Sequence, residues 1–127
     1  LKLDGGKKPP WHKTPWKLDL ANRSSQWQAL PEPPFQRRAL ALVTYRDQVF
    51  AIGGMGSDNA PSTEVNLLDM TSGTWSAGPR LPGAAINGFG AAGIVIDDRL
   101  FVTLHDGTIV QLAEDGGSWL QVGHARE

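Results

Sequence analysis

The residues of this chain best equipped to hold a partner are arginines. A guanidinium is a planar, permanently charged fork of donors that grips a carboxylate through two parallel hydrogen bonds. Arg37, Arg38 and Arg80 offer that chemistry, and Asn and Ser side chains can add weaker bonds around it. Groups for covalent or acid–base work are harder to find. His12, His105 and His124 lie far apart, with no second histidine or acid at metal-ligand spacing. Asp97-Asp98 and Glu114-Asp115 are adjacent pairs. Neighbours on a strand point to opposite faces, so neither pair converges on one substrate atom. The absence of cysteine removes thiolate nucleophiles, zinc–thiolate sites and disulfides together. Neither a glycine-rich phosphate loop nor a serine-nucleophile motif is present. We therefore expect no catalytic residue, no metal and no cofactor, and a chain that binds rather than converts.

Twelve Lys and Arg against 13 Asp and Glu leave a formal charge of −1. Nucleic-acid and membrane-surface binders need a basic excess, so neither partner is expected. No apolar run is long enough to span a bilayer, because Asp97-Asp98-Arg99 interrupts the best candidate. The compartment is left open, leaning to the cytoplasm. The 127 residues suit one domain.

The elements that must position those arginines read as strands. Fifteen Gly, nine Pro, five Trp and no sustained period of 3.6 point to an all-β chain without a helix beyond about two turns. The clearest stretch is Ala39 to Trp75. Ala41 to Tyr45 and Gln48 to Ile52 carry β-branched and aromatic residues, with Arg46-Asp47 as the hairpin turn between them. Gly53-Gly54 ends that hairpin where a Cβ is not tolerated. Glu64 to Met70 is a third strand, Thr71-Ser72-Gly73 a turn, and Thr74 to Ala77 a fourth strand.

This unit recurs. Trp27, Trp75 and Trp119 are 48 and 44 residues apart, inside the period of about 40 to 50 expected of propeller blades. Each follows an apolar strand: Trp16 to Leu20, Val65 to Met70 and Thr108 to Leu112. Leu18-Asp19-Leu20 and Leu68-Asp69-Met70 share a motif, and a glycine pair precedes each, Gly5-Gly6 and Gly53-Gly54. Asp19 and Asp69 are expected to accept backbone hydrogen bonds in the turns that follow. The third unit has the hairpin Gly93 to Ile96 and Leu100 to Leu104, but Leu104-His105 replaces the glycines. Its next loop shortens to Asp106-Gly107, read as a two-residue hairpin turn.

A glycine pair, a Leu-Asp strand and a turn to Trp resemble the kelch repeat, across nearly the whole chain. The resemblance implies a segment of a β-propeller with about three four-stranded antiparallel blades, at residues 1–30, 37–77 and 88–122, within a single domain of residues 1–127. Its tryptophans would fill the space between blades. In kelch-like propellers the loops that enter the first strand and those that follow the glycine pair share one face, commonly the ligand face. Carried over here, that face holds Arg37, Arg38, Met55, Ser57, Asp58, Asn59, Arg80, Asn87 and His105. The implied function is a non-enzymatic module that binds a protein or peptide, an acidic one by the chemistry of the arginines. The alternative is an enzyme resembling the kelch-type sialic-acid mutarotases or another carbohydrate-active propeller, for which Asp58 and Glu64 are the acids of the middle loop. In the repeat frame the first blade lacks its innermost strand. The expectation is that further blades come from a longer parent chain, a partner chain or a second copy in a six-bladed ring.

Overall fold

The computed structural model describes residues Trp11 to Ala125; the expected glycine pair Gly5-Gly6 lies outside them. The chain divides into two compact units between Gln36 and Arg37. In the first, β1 (Trp16–Lys17) pairs antiparallel with β2 (Gln28–Ala29). β1 is shorter than the expected Trp16 to Leu20, because the chain turns early. Asp19 Oδ1 accepts from the Ala21 amide at 2.9 Å, and Ser25 Oγ donates to the Asp19 carbonyl at 2.7 Å. Trp16 stands opposite Ala29 and Lys17 opposite Gln28.

The second unit holds two four-stranded antiparallel sheets. One is ordered β4 (Ala41–Tyr45), β5 (Gln48–Ile52), β7 (Val65–Asp69), β8 (Thr74–Ala77). The other runs β9 (Ala92–Ile96), β10 (Arg99–Thr103), β11 (Thr108–Leu112), β12 (Trp119–His124). A short pair, β3 (Arg37–Arg38) with β6 (Met55–Gly56), stands apart from both. The described residues are thus all-β, with one 3-10 turn at Ala85–Gly88.

Period-two alternation explains why these segments pair as they do. In the first sheet Val43 lies opposite Phe50, and Ile52 opposite Val65, so one face is apolar. In the second, Val102 lies opposite Val110, and the ladder from β11 to β12 sets Leu112 opposite Trp119. These faces supply a common core of Val43, Phe50, Ile52, Val65, Leu100, Val102, Val110 and Leu112, closed by Leu81 and Leu104, with β4 beside β9. Each such side chain withdrawn from water contributes about 1.5 to 3 kcal/mol. That outweighs exposed ion pairs such as Arg46–Asp98 at 3.3 Å, worth about 0 to 1 kcal/mol each. Sheet packing therefore fixes the geometry.

The two sheets repeat one pattern. Trp75 on β8 faces Leu68, and Trp119 on β12 faces Leu112; both leucines are buried. Trp119 donates from Nε1 to the Pro79 carbonyl at 2.8 Å, tying its strand to the segment that leaves β8. Trp27, by contrast, is 63% exposed. The expected two-residue turn at Asp106-Gly107 is corrected to a three-residue loop. Leu104 N bonds to the Thr108 carbonyl at 2.8 Å, leaving His105, Asp106 and Gly107 between them.

Candidate functional site

Strand direction brings the ends of β5, β8 and β10 and the starts of β7, β9 and β11 to one end of the second unit. The hairpin tips at Arg46-Asp47, Thr71 to Gly73 and Asp97-Asp98 lie at the other. The loops at the first end are locked together through backbone. Gly53 and Gly54 both have positive φ, +63° and +92°. Gly53 N donates to the Glu64 carbonyl at 2.9 Å, Gly54 N to the Gly88 carbonyl at 2.8 Å, and Ser62 N to the Gly54 carbonyl at 2.9 Å. A Cβ on Gly53 would run into the Gly88 carbonyl, and one on Gly88 into the Ser62 carbonyl. The loop 53–64 and the 3-10 turn thus meet backbone to backbone.

Two residues expected on the ligand face are committed elsewhere. Arg37 is buried, and its Nη1 donates to the Gly53 and Glu64 carbonyls. Its Nη2 donates to Asn66 Oδ1 and, at 3.4 Å, to the Ala51 carbonyl. Burial pushes the Arg37 guanidinium below its ordinary range; the Glu64 charge opposes this and the Arg80 charge adds to it. The expectation that Arg37 grips a ligand is therefore corrected: its donors gather carbonyls at the β5 and β7 strand ends, which a buried polar group requires. Asn87 is also buried, its Nδ2 donating to the Pro82 carbonyl at 3.2 Å and to Asp106 Oδ2 at 3.0 Å. It ties the 3-10 turn to the β10–β11 loop, so it too is corrected from a ligand contact to a structural tie.

The other candidates remain at the surface of this end. Arg38 is exposed and donates from Nη2 to Asn59 Oδ1 at 2.7 Å, across the pairing of Arg38 with Met55. Met55 is half-buried and bridges to Pro61, while Ser57 is exposed in the turn. Asp58 Oδ1 accepts from the Ala60 amide at 3.0 Å, and Asn59 holds φ +65°. Arg80 is exposed and donates from Nη2 to Glu64 Oε1 at 2.8 Å. Glu64, Asn66, Gly78 and Arg80 line a recess of about 150 Å³ with Val65 and Ala77. His105 is exposed, its amide reaching the Asn87 carbonyl at 3.4 Å. No cluster of three or more His, Cys, Asp or Glu able to hold a metal exists among the described residues.

The roles of Asn66 and Asp106 escaped the sequence reading. Asp106 carried a signal, since an Asp one residue before Gly in a short loop accepts a local amide. Its Oδ1 takes the Thr108 amide at 2.9 Å. Asp69 acts alike, accepting from the Thr71 and Ser72 amides at 2.8 and 2.9 Å, and Asp19 conforms to the same expectation. Backbone hydrogen bonds, from Ser72 then Thr71 to Asp69 and from Thr108 to Asp106, are the largest causes that hold both carboxyls below the usual range. A depressed folded value means stability that is present above the unfolded carboxyl value of about 4 and lost as pH falls through the folded one. Thermal melts from pH 5 to pH 2 are expected to show a falling transition temperature. The Asp69→Asn, Asp106→Asn double variant should show a shallower fall, and an unchanged slope would contradict the assignment.

No family model matches this chain, and no curated protein does. Among solved structures, one titled "Structure of YjhT" superposes with a TM-score of 0.72 over 89% of this chain, at 14% sequence identity. This chain spans 45% of that one's length. The likeness is one of fold.

Proposed function

We propose that this chain is a kelch-like propeller segment that binds an acidic protein or peptide segment through the loop end carrying Arg38 and Arg80. The observation that carries the reading is the exposure of both guanidiniums beside the locked loop 53–64: Arg38 pairs with Met55 at its start, and the Leu81 amide next to Arg80 donates to the Thr63 carbonyl at 2.9 Å. Rigid loops limit the ordering cost of binding, and charged hydrogen bonds then contribute more of their strength to affinity. The acids named for an enzymatic alternative each hold a contact within this end of the unit. Asp58 caps the Ala60 amide and Glu64 pairs with Arg80.

The propeller reading is supported by the equivalence of the two sheets. Ile94 on β9 stands where Val43 stands on β4, Phe101 where Phe50 stands, and Ile109 where Val65 stands. Val43, Phe50 and Val65 belong to the core between the sheets. Their counterparts, with Leu120 at 52% exposure, form the apolar face against which a further blade would pack, whether from a parent chain, a partner or a second copy.

Arg38→Ala and Arg80→Ala are each expected to weaken an acidic peptide by about 1 to 3 kcal/mol, the range of hydrogen bonds to charged groups. Their melting temperatures should stay near that of the parent protein. Isothermal titration with an oligoglutamate peptide measures this. Equal losses from Arg99→Ala, on the opposite end, would mean nonspecific attraction and remove the reading.

A further inference from the structure

We propose that Glu64 is an internal occupant of the arginine seat: its carboxylate holds Arg80 in the place that an acidic partner's carboxylate takes, and so sets a threshold against weak ligands. This rests on the binding reading above. Glu64 meets three conditions for such a role. Its backbone is fixed, the amide donating to Ser62 Oγ at 3.1 Å and the carbonyl accepting from Gly53 N and Arg37 Nη1. Its side chain is not, since the Glu64 and Arg80 side chains are 46% and 67% exposed. Water competes for a pair so exposed, and the closed arrangement is favoured over the open one by only a few-fold. The swing leaves the loop in place and opens onto the recess of about 150 Å³. One water occupies about 30 Å³ of liquid, so the recess has room for a carboxylate and its waters.

The electrostatics favour exchange over simple vacancy. Arg37 feels the charges of both Glu64 and Arg80, in opposite senses. With Glu64 swung out, the Arg80 guanidinium on the recess has lost its paired carboxylate while the Arg37 charge still repels it, and an incoming carboxylate supplies the counter-charge. A ligand that binds only the open arrangement has its apparent dissociation constant raised by the inverse of the open fraction. A few-fold bias, together with the repulsion between Glu64 and an acidic ligand, gives an expected penalty of about three- to tenfold.

The test is the affinity of a fluorescein-labelled acetyl-hexaglutamate peptide, read by anisotropy at low and at high salt. Glu64→Gln keeps the backbone bonds and removes the charge. It is expected to bind the peptide about three- to tenfold more tightly than the parent protein at low salt, and the gain should vanish in the Glu64→Gln, Arg80→Ala double variant. Asp47→Asn, at the opposite end, changes net charge by the same amount and should leave affinity unchanged. Glu64→Ala supplies the same readout if Glu64→Gln fails to fold. Parent binding too weak to measure beside clear binding by Glu64→Gln also supports the proposal. A Glu64→Gln affinity no better than the parent's, or a gain matched by Asp47→Asn, overturns it. In that case loss of parent binding in Arg80→Ala still upholds the binding face. If neither parent nor Glu64→Gln binds, both readings fall.

Discussion

Gly53→Val and Gly88→Ala should each lower the stability of the second unit well beyond an ordinary surface change, by about 2 to 5 kcal/mol, because a Cβ at either position meets backbone, and at Gly53 a left-handed conformation adds to it. At Gly53 the backbone has φ +63°, a region where a β-branched residue is strained, and a Cβ would overlap the Gly88 carbonyl. At Gly88 the Cβ would overlap the Ser62 carbonyl. Both obstacles are backbone, so relief demands that the loop 53–64 part from the 3-10 turn. That parting breaks the hydrogen bond from Gly54 N to the Gly88 carbonyl. Gly116 separates conformation from space, since it has φ +72° and nothing within 4 Å of its would-be Cβ. Gly116→Ala therefore pays for the left-handed backbone alone, about 1 to 2 kcal/mol. Urea unfolding midpoints rank the three, and Gly88→Ala no more costly than Gly116→Ala would contradict the close-approach account. The same variants should weaken acidic-peptide binding even where the protein stays folded, because the loop 53–64, which pairs with Arg38 through Met55 and meets the Arg80 segment at Thr63, would no longer be held.

Which parts of this architecture were legible in the sequence follows from what encodes each part. The β4–β5 hairpin falls on the residues expected, Ala41–Tyr45 and Gln48–Ile52. A strand with one apolar face is specified by alternation, and a one-residue slip would turn Val43, Phe50 and Ile52 outward. The third unit lost its glycine pair yet forms a full four-stranded sheet. Leu100, Val102, Val110 and Leu112 carry the pairing; the glycines serve a loop contact that the shorter loop 104–107 does not make. What escaped reading was partnership. Arg37 and Arg38 are neighbours of one type in a two-residue strand, and the alternation of strand faces sends one guanidinium into the protein and leaves the other exposed. Arg37 finds acceptors 14 to 29 residues away in sequence, a distance over which local pattern carries no information. Asn87 likewise meets Asp106 only because two sheets pack, which no single segment records.

The difference between those two arginines leads to an opposite pair of outcomes. Arg37→Met should cost about 2 to 4 kcal/mol of stability, since hydrogen bonds to a charged group are worth about 1.5 to 3 kcal/mol and buried acceptors left unmet add a desolvation penalty. Methionine approximates the aliphatic stem, so the loss reports the guanidinium rather than a cavity. Not every acceptor is orphaned: the Glu64 carbonyl keeps the Gly53 amide. The Gly53 carbonyl and Asn66 Oδ1 lose the donors that Arg37 brings them. Arg37→Lys should recover little, because one ammonium cannot span acceptors arranged for a planar fork. Arg80→Ala, by contrast, removes an exposed pair with Glu64 whose contribution to stability is about 0 to 1 kcal/mol, while taking a donor from the proposed ligand seat. Chemical unfolding and peptide titration on both variants therefore separate the roles. Arg37→Met loses stability first, and in conditions where it remains folded it should retain most of the peptide affinity that Arg80→Ala loses. If Arg37→Met unfolds like the parent protein while its peptide affinity collapses, Arg37 is a ligand contact after all, and not the tie between the β5 and β7 strand ends.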